Sequence, residues 1–180
     1  MTAVAGVVHE GRVHLAADSA GISGWALTVR SDTKVFRNGP YVMGFTDSFR
    51  MGQLLRYSLT LPEPEGDLSR FMVTTFIDAV RECLKSGGYA SKNNETESGG
   101  TFLVGIRGRL FEICSDYQVG EPADGVAAVG CGFELCLGAL YATRGQQSPR
   151  KRLQTALEAA ERFNAGVRGP FSFVSTTKPA

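Results

Sequence analysis

The chain has 180 residues, of which 43% are hydrophobic, and this is enough for one compact domain with a sizeable core, residues 1–180. Its 19 basic and 18 acidic residues give a net charge of +1, so no strong field favours nucleic acid or an anionic membrane surface as a partner. The start of the chain lacks the basic segment of a secretory signal and no apolar run approaches the ~20 residues that span a bilayer, so we expect a soluble, cytoplasmic protein.

The N-terminal part of the sequence alternates short β-rich runs with turn residues. Ala3 to His9 and Arg12 to Asp18 flank Glu10-Gly11, a pair typical of a tight hairpin. Further β-rich runs follow at Trp25 to Val29, Lys34 to Phe36 and Tyr41 to Thr46. The chain is therefore predicted to begin with strands.

Two helices are predicted next. From Phe49 to Leu59 the apolar residues recur at helical spacing, with Asp47 or Ser48 as the N-terminal cap. After a proline-rich break, Leu68 to Leu84 forms the second helical pattern, and Gly87-Gly88 ends it.

The second half of the sequence repeats this order. Residues 91–100, SKNNETESGG, are polar and without periodicity, which predicts an exposed, mobile loop or turn. Strands are then predicted at Thr101 to Ile106, Arg109 to Cys114 and Gly125 to Val129, helices at Phe133 to Arg144 and Pro149 to Phe163, and a last strand at Pro170 to Ser175. Strands and helices in separate blocks favour an α+β fold, a four-layer αββα sandwich of two antiparallel sheets flanked by helix pairs.

The histidines and cysteines show no metal-binding pattern. His9, His14, Cys83, Cys114, Cys131 and Cys136 are scattered without CxxC spacing. We therefore expect no structural zinc site, and we expect the cysteines to be small buried side chains, with Cys131 as the exception.

The second residue is a candidate nucleophile. Removal of Met1, which a small second residue permits, would leave Thr2 with a hydroxyl and a free α-amine. An α-amine titrates at about 7.7–8.0, so it can accept the hydroxyl proton near neutral pH without a histidine. On its own this is weak evidence, because many chains begin with Met-Thr.

Three residues at fixed spacing carry a family resemblance. Thr2 is followed by the predicted hairpin, by Ala16-Ala17-Asp18-Ser19 and then by Lys34-Val35. This arrangement resembles proteasome β-subunits and the related peptidase of bacterial ATP-dependent ring proteases, closely over the first strands and afterwards in the order of elements. The resemblance implies the N-terminal-nucleophile hydrolase fold. It also implies a threonine peptidase that works through an acyl-enzyme intermediate.

The resemblance implies roles for the other two residues. Lys34 would lower the proton affinity of the N-terminal amine and stabilise charge on the hydroxyl oxygen, and Asp18 would hold Lys34 in place and charged. Taken singly, Asp18 also fits a turn residue and Lys34 a solvated charge. Their joint spacing with Thr2 favours the catalytic interpretation.

The family supplies a backbone N–H to the oxyanion where the strand after the lysine turns into a helix, here Gly44 to Ser48. Ser48 stands where the family usually has glycine, and a side-chain change need not remove a backbone donor. Asp47 precedes it, and a carboxylate beside a developing oxyanion is unfavourable unless it points away, for example as a helix cap.

Two later motifs depart from the family. Gly130-Cys131-Gly132 stands where the family has Gly-Ser-Gly, whose serine orients the amine. Asn164 and Val167 stand where it has an acidic residue and a serine. Cysteine is a weaker hydrogen-bonding group than serine, asparagine can still accept a hydrogen bond, and a valine side chain cannot.

The resemblance implies a peptide or unfolded protein as substrate, bound as an added strand. Its two edges would be formed by Gly21, Ile22 and Ser23 on one side and by Thr46, Asp47 and Ser48 on the other. Phe36, Thr46 and Arg50 would line the pocket for the residue before the cut, where Arg50 favours acidic or polar side chains. Phe36 fits a core position equally well, and Arg50 fits the surface.

Partners and alternatives follow from the same comparison. The family implies a homo-oligomeric ring, while no residue pattern identifies an ATPase partner, and the chemistry requires no cofactor. One alternative is an N-terminal-nucleophile amidase, possible as a dimer, that acts on a small amide. The other is a non-catalytic ring or scaffold subunit, which the departures at Ser48, Cys131, Asn164 and Val167 motivate.

Overall fold

The computed structural model describes residues 1–146 and 148–177. The strands are β1 Ala3–His9, β2 Arg12–Ala17, β3 Ala20–Ser23, β4 Ala26–Val29, β5 Val35–Asn38, β6 Tyr41–Phe45, β7 Ser91–Asn93, β8 Thr96–Ser98, β9 Phe102–Ile106, β10 Arg109–Ile113, β11 Val119–Gly120, β12 Val126–Gly130 and β13 Ser172–Ser175. The α-helices are α1 Phe49–Tyr57, α2 Leu68–Phe71, α3 Ile77–Ser86, α4 Phe133–Ala142 and α5 Pro149–Phe163. No helix within these described ranges has both the length and the apolar character needed to cross a lipid bilayer.

Two antiparallel sheets form the centre of the molecule. The first has the strand order β12, β1, β2, β13, and the second has the order β11, β10, β9, β6, β5. In the first sheet Ala5 lies opposite Ala128 on one side and Ala16 on the other. The five residues of β6, YVMGF, are all buried, as in a strand covered on both faces.

Three apolar clusters separate four layers. Val4, Leu15, Val42, Leu103 and Leu110 pack between the two sheets. Helices α1 to α3 cover the outer face of the second sheet through a cluster that includes Met51, Phe76 and Val80. Helices α4 and α5 cover the first sheet through Cys136, Leu140, Ala156 and Leu157. The predicted αββα sandwich is therefore confirmed, because each sheet buries both of its faces.

The first helical prediction is confirmed and the second needs correction. Ser48, rather than Asp47, caps α1, since its hydroxyl oxygen accepts a hydrogen bond from Arg50 N at 3.0 Å. The helix predicted from Leu68 to Leu84 is instead interrupted by a π-helical turn, Met72–Phe76. This turn contains β-branched residues, and the Thr74 hydroxyl donates to the Arg70 carbonyl at 2.7 Å, which competes with regular helix hydrogen bonding.

Two hairpins were not predicted. Residues 91–96 are exposed as expected, whereas 97–99 are partly buried and Gly100 is buried, and the segment contains the pair β7 and β8 rather than an irregular loop. Asn94 and Glu95 at the tip both have positive φ, 47° and 71°, as in the two-residue turns that match strand twist. The run predicted at Trp25 to Val29 is likewise one arm of a hairpin, β3 and β4, whose turn contains Gly24 at φ 56°. Strands of three or four residues are too short to show the alternation that reveals longer ones.

Candidate active site

Thr2 directly precedes β1 and is almost buried, with 5% of its surface exposed. Its backbone N–H donates to Cys131 Sγ at 3.3 Å, and its carbonyl accepts from Gly132 N at 3.4 Å. With Met1 attached, the Thr2 hydroxyl donates to the Met1 carbonyl at 2.5 Å. In this form the nitrogen of Thr2 is an amide, so it is not a base.

Asp18 and Lys34 form a buried ion pair beside this residue. Lys34 Nζ donates to Asp18 Oδ1 at 2.8 Å, and the two side chains are 1% and 0% exposed. The same oxygen, Oδ1, accepts from Ala3 N at 3.0 Å. The other oxygen, Oδ2, accepts from Ala20 N at 2.9 Å and from Arg168 N at 3.2 Å. The carboxylate thus has a donor for each of its oxygens, as a buried charge requires.

Burial governs the electrostatics of Lys34. Removal from water lowers the pKa of Lys34, while the charge of Asp18 and its hydrogen bond oppose that shift, and the nearby charge of Arg30 adds to it. The ammonium also lies 5.8 Å from the centroid of the Phe49 ring. Because Asp18 Oδ1 binds both Nζ and the N–H that directly follows Thr2, the positive charge is held close to the chain end.

Cys131 and Asn164 interact with each other on the other side of Thr2. Cys131 is exposed, and its thiol donates to Asn164 Oδ1 at 3.4 Å. Asn164 Nδ2 donates to the Cys131 carbonyl at 2.7 Å, and Asn164 Oδ1 also accepts from Gly166 N at 2.8 Å. Val167, in contrast, is 1% exposed and packs in the core with α5. The thiol and amide are therefore linked to the Thr2 nitrogen, and Val167 is not.

A cleft of about 260 Å³ opens beside Thr2. The predicted edge residues all line it: Gly21, Ile22 and Ser23 together with Thr46, Asp47 and Ser48. Met1 also lines the cleft and is 60% exposed. The two segments that sequence assigned to opposite edges are thus brought to one cavity.

Phe36 and Arg50 do not line this cleft, contrary to the sequence-based expectation. Phe36 is 3% exposed and packs in the core against Phe45, with ring centroids 6.4 Å apart. The Arg50 side chain extends towards the end of α3, where its Nη2 donates to the Gly87 carbonyl at 3.3 Å. One side chain lies beneath the cleft wall and the other on the outer surface of α1, because strand pleat and helix periodicity direct them there.

Arg30 and Phe49 line the cleft instead. Arg30 forms two hydrogen bonds with the Asp32 carboxylate, both at 2.7 Å, and its guanidinium lies 3.9 Å from the centroid of the Phe49 ring. The hydrogen bonds from Arg30 lower the pKa of Asp32. A Cβ atom on Gly21 would lie 2.7 Å from Arg30 Cδ, so glycine makes room for this side chain. The opposite charges of Arg30 and Asp32, two residues apart in the sequence, were the available signal for their ion pair.

The turn between β6 and α1 has an unusual backbone. Asp47 has φ 58°, and Ser48 N donates across it to the Thr46 carbonyl at 2.7 Å. The Asp47 carboxylate does not cap α1 and is not hydrogen-bonded to Thr2. Its Oδ2 atom accepts instead from Thr101 N at 2.7 Å.

Among residues 1–146 and 148–177, no three His, Cys, Asp or Glu side chains are grouped so that they could hold a metal ion.

Comparison with known proteins identifies the fold. No family model matches the sequence, and no curated protein sequence matches it. Among solved structures, Thiobacillus denitrificans BPH in complex with epoxomicin superposes with a TM-score of 0.79 and 22% identity, over 99% of this chain and 100% of that one. Eukaryotic HslV from Trypanosoma brucei gives 0.70 and 18%, over 97% and 98% of the two chains. Anbu, an ancestral β-subunit, from Yersinia bercovieri gives 0.66 and 16%, over 97% and 81%. The resemblance inferred from Thr2, Asp18 and Lys34 therefore holds for the whole chain at the level of structure, and the protein has the proteasome-type N-terminal-nucleophile hydrolase fold.

Proposed function

We propose that this chain is a threonine peptidase in which Thr2, after removal of Met1, attacks the peptide bond. The observation that carries the proposal is the position of one atom. Asp18 Oδ1 accepts hydrogen bonds both from Lys34 Nζ at 2.8 Å and from the N–H of Ala3, directly after Thr2, at 3.0 Å. A buried ammonium beside a threonine at the chain end is the arrangement that the chemistry needs.

Activation of the site begins with removal of Met1. Its side chain is exposed, so an aminopeptidase can reach it. Removal frees the Thr2 hydroxyl from the Met1 carbonyl and converts the Thr2 nitrogen into an amine. Cys131 Sγ lies 3.3 Å from that nitrogen and is held by Asn164, so it orients the amine in place of a serine.

The reaction then uses one residue as nucleophile and base. The Thr2 hydroxyl oxygen bonds to the substrate carbonyl carbon while its proton passes to the α-amine. Collapse of the tetrahedral intermediate breaks the C–N bond, and the departing amine takes the proton from the α-ammonium. Water then attacks the resulting ester and releases the acid, which restores the hydroxyl. The Lys34 ammonium stabilises the negative charge that develops at the hydroxyl oxygen.

The substrate is a peptide or unfolded protein segment that lies in the cleft. Extended peptides bind by adding main-chain hydrogen bonds to exposed edges. Gly21 to Ser23 and Thr46 to Ser48 both line the cleft and are the edges available for such binding.

We further infer that identical chains assemble in the cytoplasm into a ring that restricts access to this cleft. Light scattering on the purified protein measures the mass of the assembly and so tests whether the ring forms.

Intact mass and a covalent probe test the proposal together. Because the similar BPH structure contains epoxomicin, this inhibitor is the probe of choice. We expect the purified wild-type chain to lack Met1, to bind one epoxomicin and to hydrolyse fluorogenic peptides. A Thr2→Ala variant should neither bind epoxomicin nor hydrolyse the peptides, while Thr33→Ala, outside the cleft lining, should do both.

The alternatives give different results. Retention of Met1 in the assembled protein, with no labelling, would establish a non-catalytic subunit. Labelling of Thr2 with turnover of small acyl amides but not of peptides would establish the amidase. Hydrolysis that persists in Thr2→Ala would contradict the proposed nucleophile.

A further inference from the structure

We propose that Asp47 is a positioning residue, whose carboxylate holds the turn Thr46–Ser48 in place beside the cleft, so that the backbone N–H of Ser48 is available to the oxyanion of the reaction. The inference rests on the proposed peptidase function, since it concerns the oxyanion of that reaction. It assigns to the Asp47 side chain no contact with the substrate. The role follows from the geometry of the turn and from what the side chain binds.

The turn has a conformation that must be held. A hydrogen bond from Ser48 N to the Thr46 carbonyl at 2.7 Å closes a three-residue turn, with Asp47 at its centre. The φ of Asp47 is 58°, in the left-handed region that residues other than glycine adopt infrequently. Aspartate tolerates this region better than most residues other than glycine, and unlike glycine it has a side-chain oxygen that can fix the turn.

Thr101 binds the turn at two positions. Its carbonyl accepts from Thr46 N at 3.1 Å and from Thr46 Oγ1 at 3.0 Å. Its N–H donates to Asp47 Oδ2 at 2.7 Å. The backbone of one residue thus fixes both the residue before the bend and the bend itself. We call these three hydrogen bonds the Thr101 clip.

Neighbouring residues make the clip possible. A Cβ atom on Gly100 would lie 3.1 Å from Asp47 Oδ2 and 2.3 Å from Met51 Sδ, so glycine leaves space for the carboxylate to reach Thr101. The other end of the turn is fixed by Ser48 Oγ, which accepts from Arg50 N at 3.0 Å. The turn is consequently anchored to β9 through Thr101 and to α1 through its cap.

The clip bears on catalysis through the Ser48 N–H. By the family resemblance this group is the oxyanion donor, and in the free protein the Thr46 carbonyl occupies it. A developing oxyanion is a stronger acceptor than a neutral carbonyl and can draw this N–H away from Thr46. Because the clip fixes Thr46 and Asp47, the turn stays in place while the Ser48 N–H exchanges the Thr46 carbonyl for the oxyanion, an exchange that favours the transition state over the bound substrate.

Three substitutions of Asp47 separate side-chain and backbone effects. Asp47→Asn keeps an oxygen that can accept from Thr101 N, Asp47→Ala removes it, and Asp47→Gly removes it while permitting positive φ. We expect kcat on a fluorogenic peptide to fall on the order of 10- to 100-fold in the alanine and glycine variants, with KM changed less than about 3-fold. The asparagine variant should stay within about 3-fold of wild type. Asp116→Asn, which changes another exposed carboxylate that accepts a backbone N–H, should match wild type.

Amide hydrogen exchange gives a readout that needs no activity. The Thr101 N–H should exchange slowly in wild type and Asp47→Asn and faster in Asp47→Ala. Unchanged exchange in Asp47→Ala, an alanine variant with wild-type kcat, or an asparagine variant as slow as alanine would each overturn the assignment. An inactive wild type would overturn the proposed function instead, and the exchange result would still decide whether Asp47 holds the turn.

Discussion

Lys34 Nζ lies 2.8 Å from Asp18 Oδ1 in a buried ion pair. The two residues differ in how many other hydrogen bonds they make. Asp18 accepts three further hydrogen bonds, from the backbone N–H groups of Ala3, Ala20 and Arg168. Within the described residues, Lys34 Nζ has Asp18 as its hydrogen-bond acceptor. The loss of each partner therefore has a different cost.

We predict that Asp18→Ala destabilises the fold more than Lys34→Met. Removal of the carboxylate leaves a buried ammonium and three backbone N–H groups without acceptors, which costs about 3–5 kcal/mol or more. Removal of the ammonium leaves a carboxylate that still has three donors. Urea denaturation of both variants measures the difference. Arg81→Ala, which breaks an exposed pair with Glu97, should change stability little, and equal losses at Asp18 and Lys34 would contradict the asymmetry.

The activity should have a bell-shaped pH dependence. On the acidic side kcat/KM rises as the α-amine loses its proton, because only the neutral amine can act as the base. On the alkaline side it falls as Lys34 deprotonates, and because burial lowers the pKa of Lys34, this fall begins below the ~10.4 of a free lysine. In Lys34→Arg the cation persists to higher pH, so the alkaline limb of the residual activity should move upwards. If wild type and Lys34→Arg lose activity over the same alkaline pH range, a group other than residue 34 is responsible for that loss.

Alkylation of Cys131 should block the site. Cys131 is exposed, whereas burial raises the pKa of the thiols of Cys83 and Cys114, and it raises that of Cys136 to about 12. Iodoacetamide should therefore modify Cys131 first and place an added group next to the Thr2 nitrogen, with roughly a tenfold or greater loss of epoxomicin labelling. Peptide mapping identifies the modified residue.

The matched variant for this experiment is Cys131→Ser. A serine hydroxyl is a stronger hydrogen-bonding group than a thiol, so this variant should retain activity and resist the reagent. Equal sensitivity of Cys131→Ser to iodoacetamide would show that the loss arises elsewhere.

Substitution of Arg30, with substitution of Arg50 as the control, tests which arginine contacts the substrate. Arg30 lines the cleft on the Phe49 ring, while Arg50 binds the Gly87 carbonyl at the end of α3. Arg30→Gln should change KM and the preference among peptides that differ in the residue before the cut, by roughly 3- to 30-fold for acidic against apolar side chains. Arg50→Gln should leave that preference unchanged. Competition assays with paired peptides measure the ratio, and a shift caused by Arg50→Gln alone would restore the sequence-based assignment.

Two glycines should respond to alanine in opposite ways. A Cβ atom on Gly44 would lie 2.6 Å from Val4 Cγ1 and 3.0 Å from Val35 Cγ1, both stiff buried side chains between the sheets. Gly44→Ala should therefore destabilise the protein by about 1–3 kcal/mol. Gly138 lies in α4 with open space around it, so Gly138→Ala should stabilise by about 0.5–1 kcal/mol. Thermal unfolding measures the stability of both variants. A Gly44→Ala variant as stable as wild type would show that the two sheets can move apart to make room for the methyl group without loss of stability.

Sequence periodicity predicted the elements that have a strong amphipathic or apolar pattern. The helix predicted at Pro149 to Phe163 has the same bounds in the structure, where Pro149 begins it and Ser148 caps it. The hairpin around Glu10-Gly11 is also confirmed, with both residues at positive φ, 48° and 69°. Signals of this kind are local, because caps and turns involve residues that are adjacent in the chain.

Elements with weak local signals were missed. The π-helical turn at Met72–Phe76 reads as ordinary helix, since its apolar residues keep near-helical spacing. The hairpin of β7 and β8 is polar on both faces, so it has no alternation to detect. It contacts α3 through hydrogen bonds from Arg81 to Glu97, 16 residues apart in the chain.

The sequence alone determined the order of the longer strands and helices and the spacing of Thr2, Asp18 and Lys34 along the chain, because both can be read from residues that are close in sequence. Only the tertiary structure decided that Asp18 also receives the N–H of Arg168, 150 positions away, and that Arg30 rather than Arg50 lines the cleft. The physical reason is that the direction of a side chain depends on which face of its strand or helix is covered. That covering comes from segments distant in the chain, whose contacts no local pattern records.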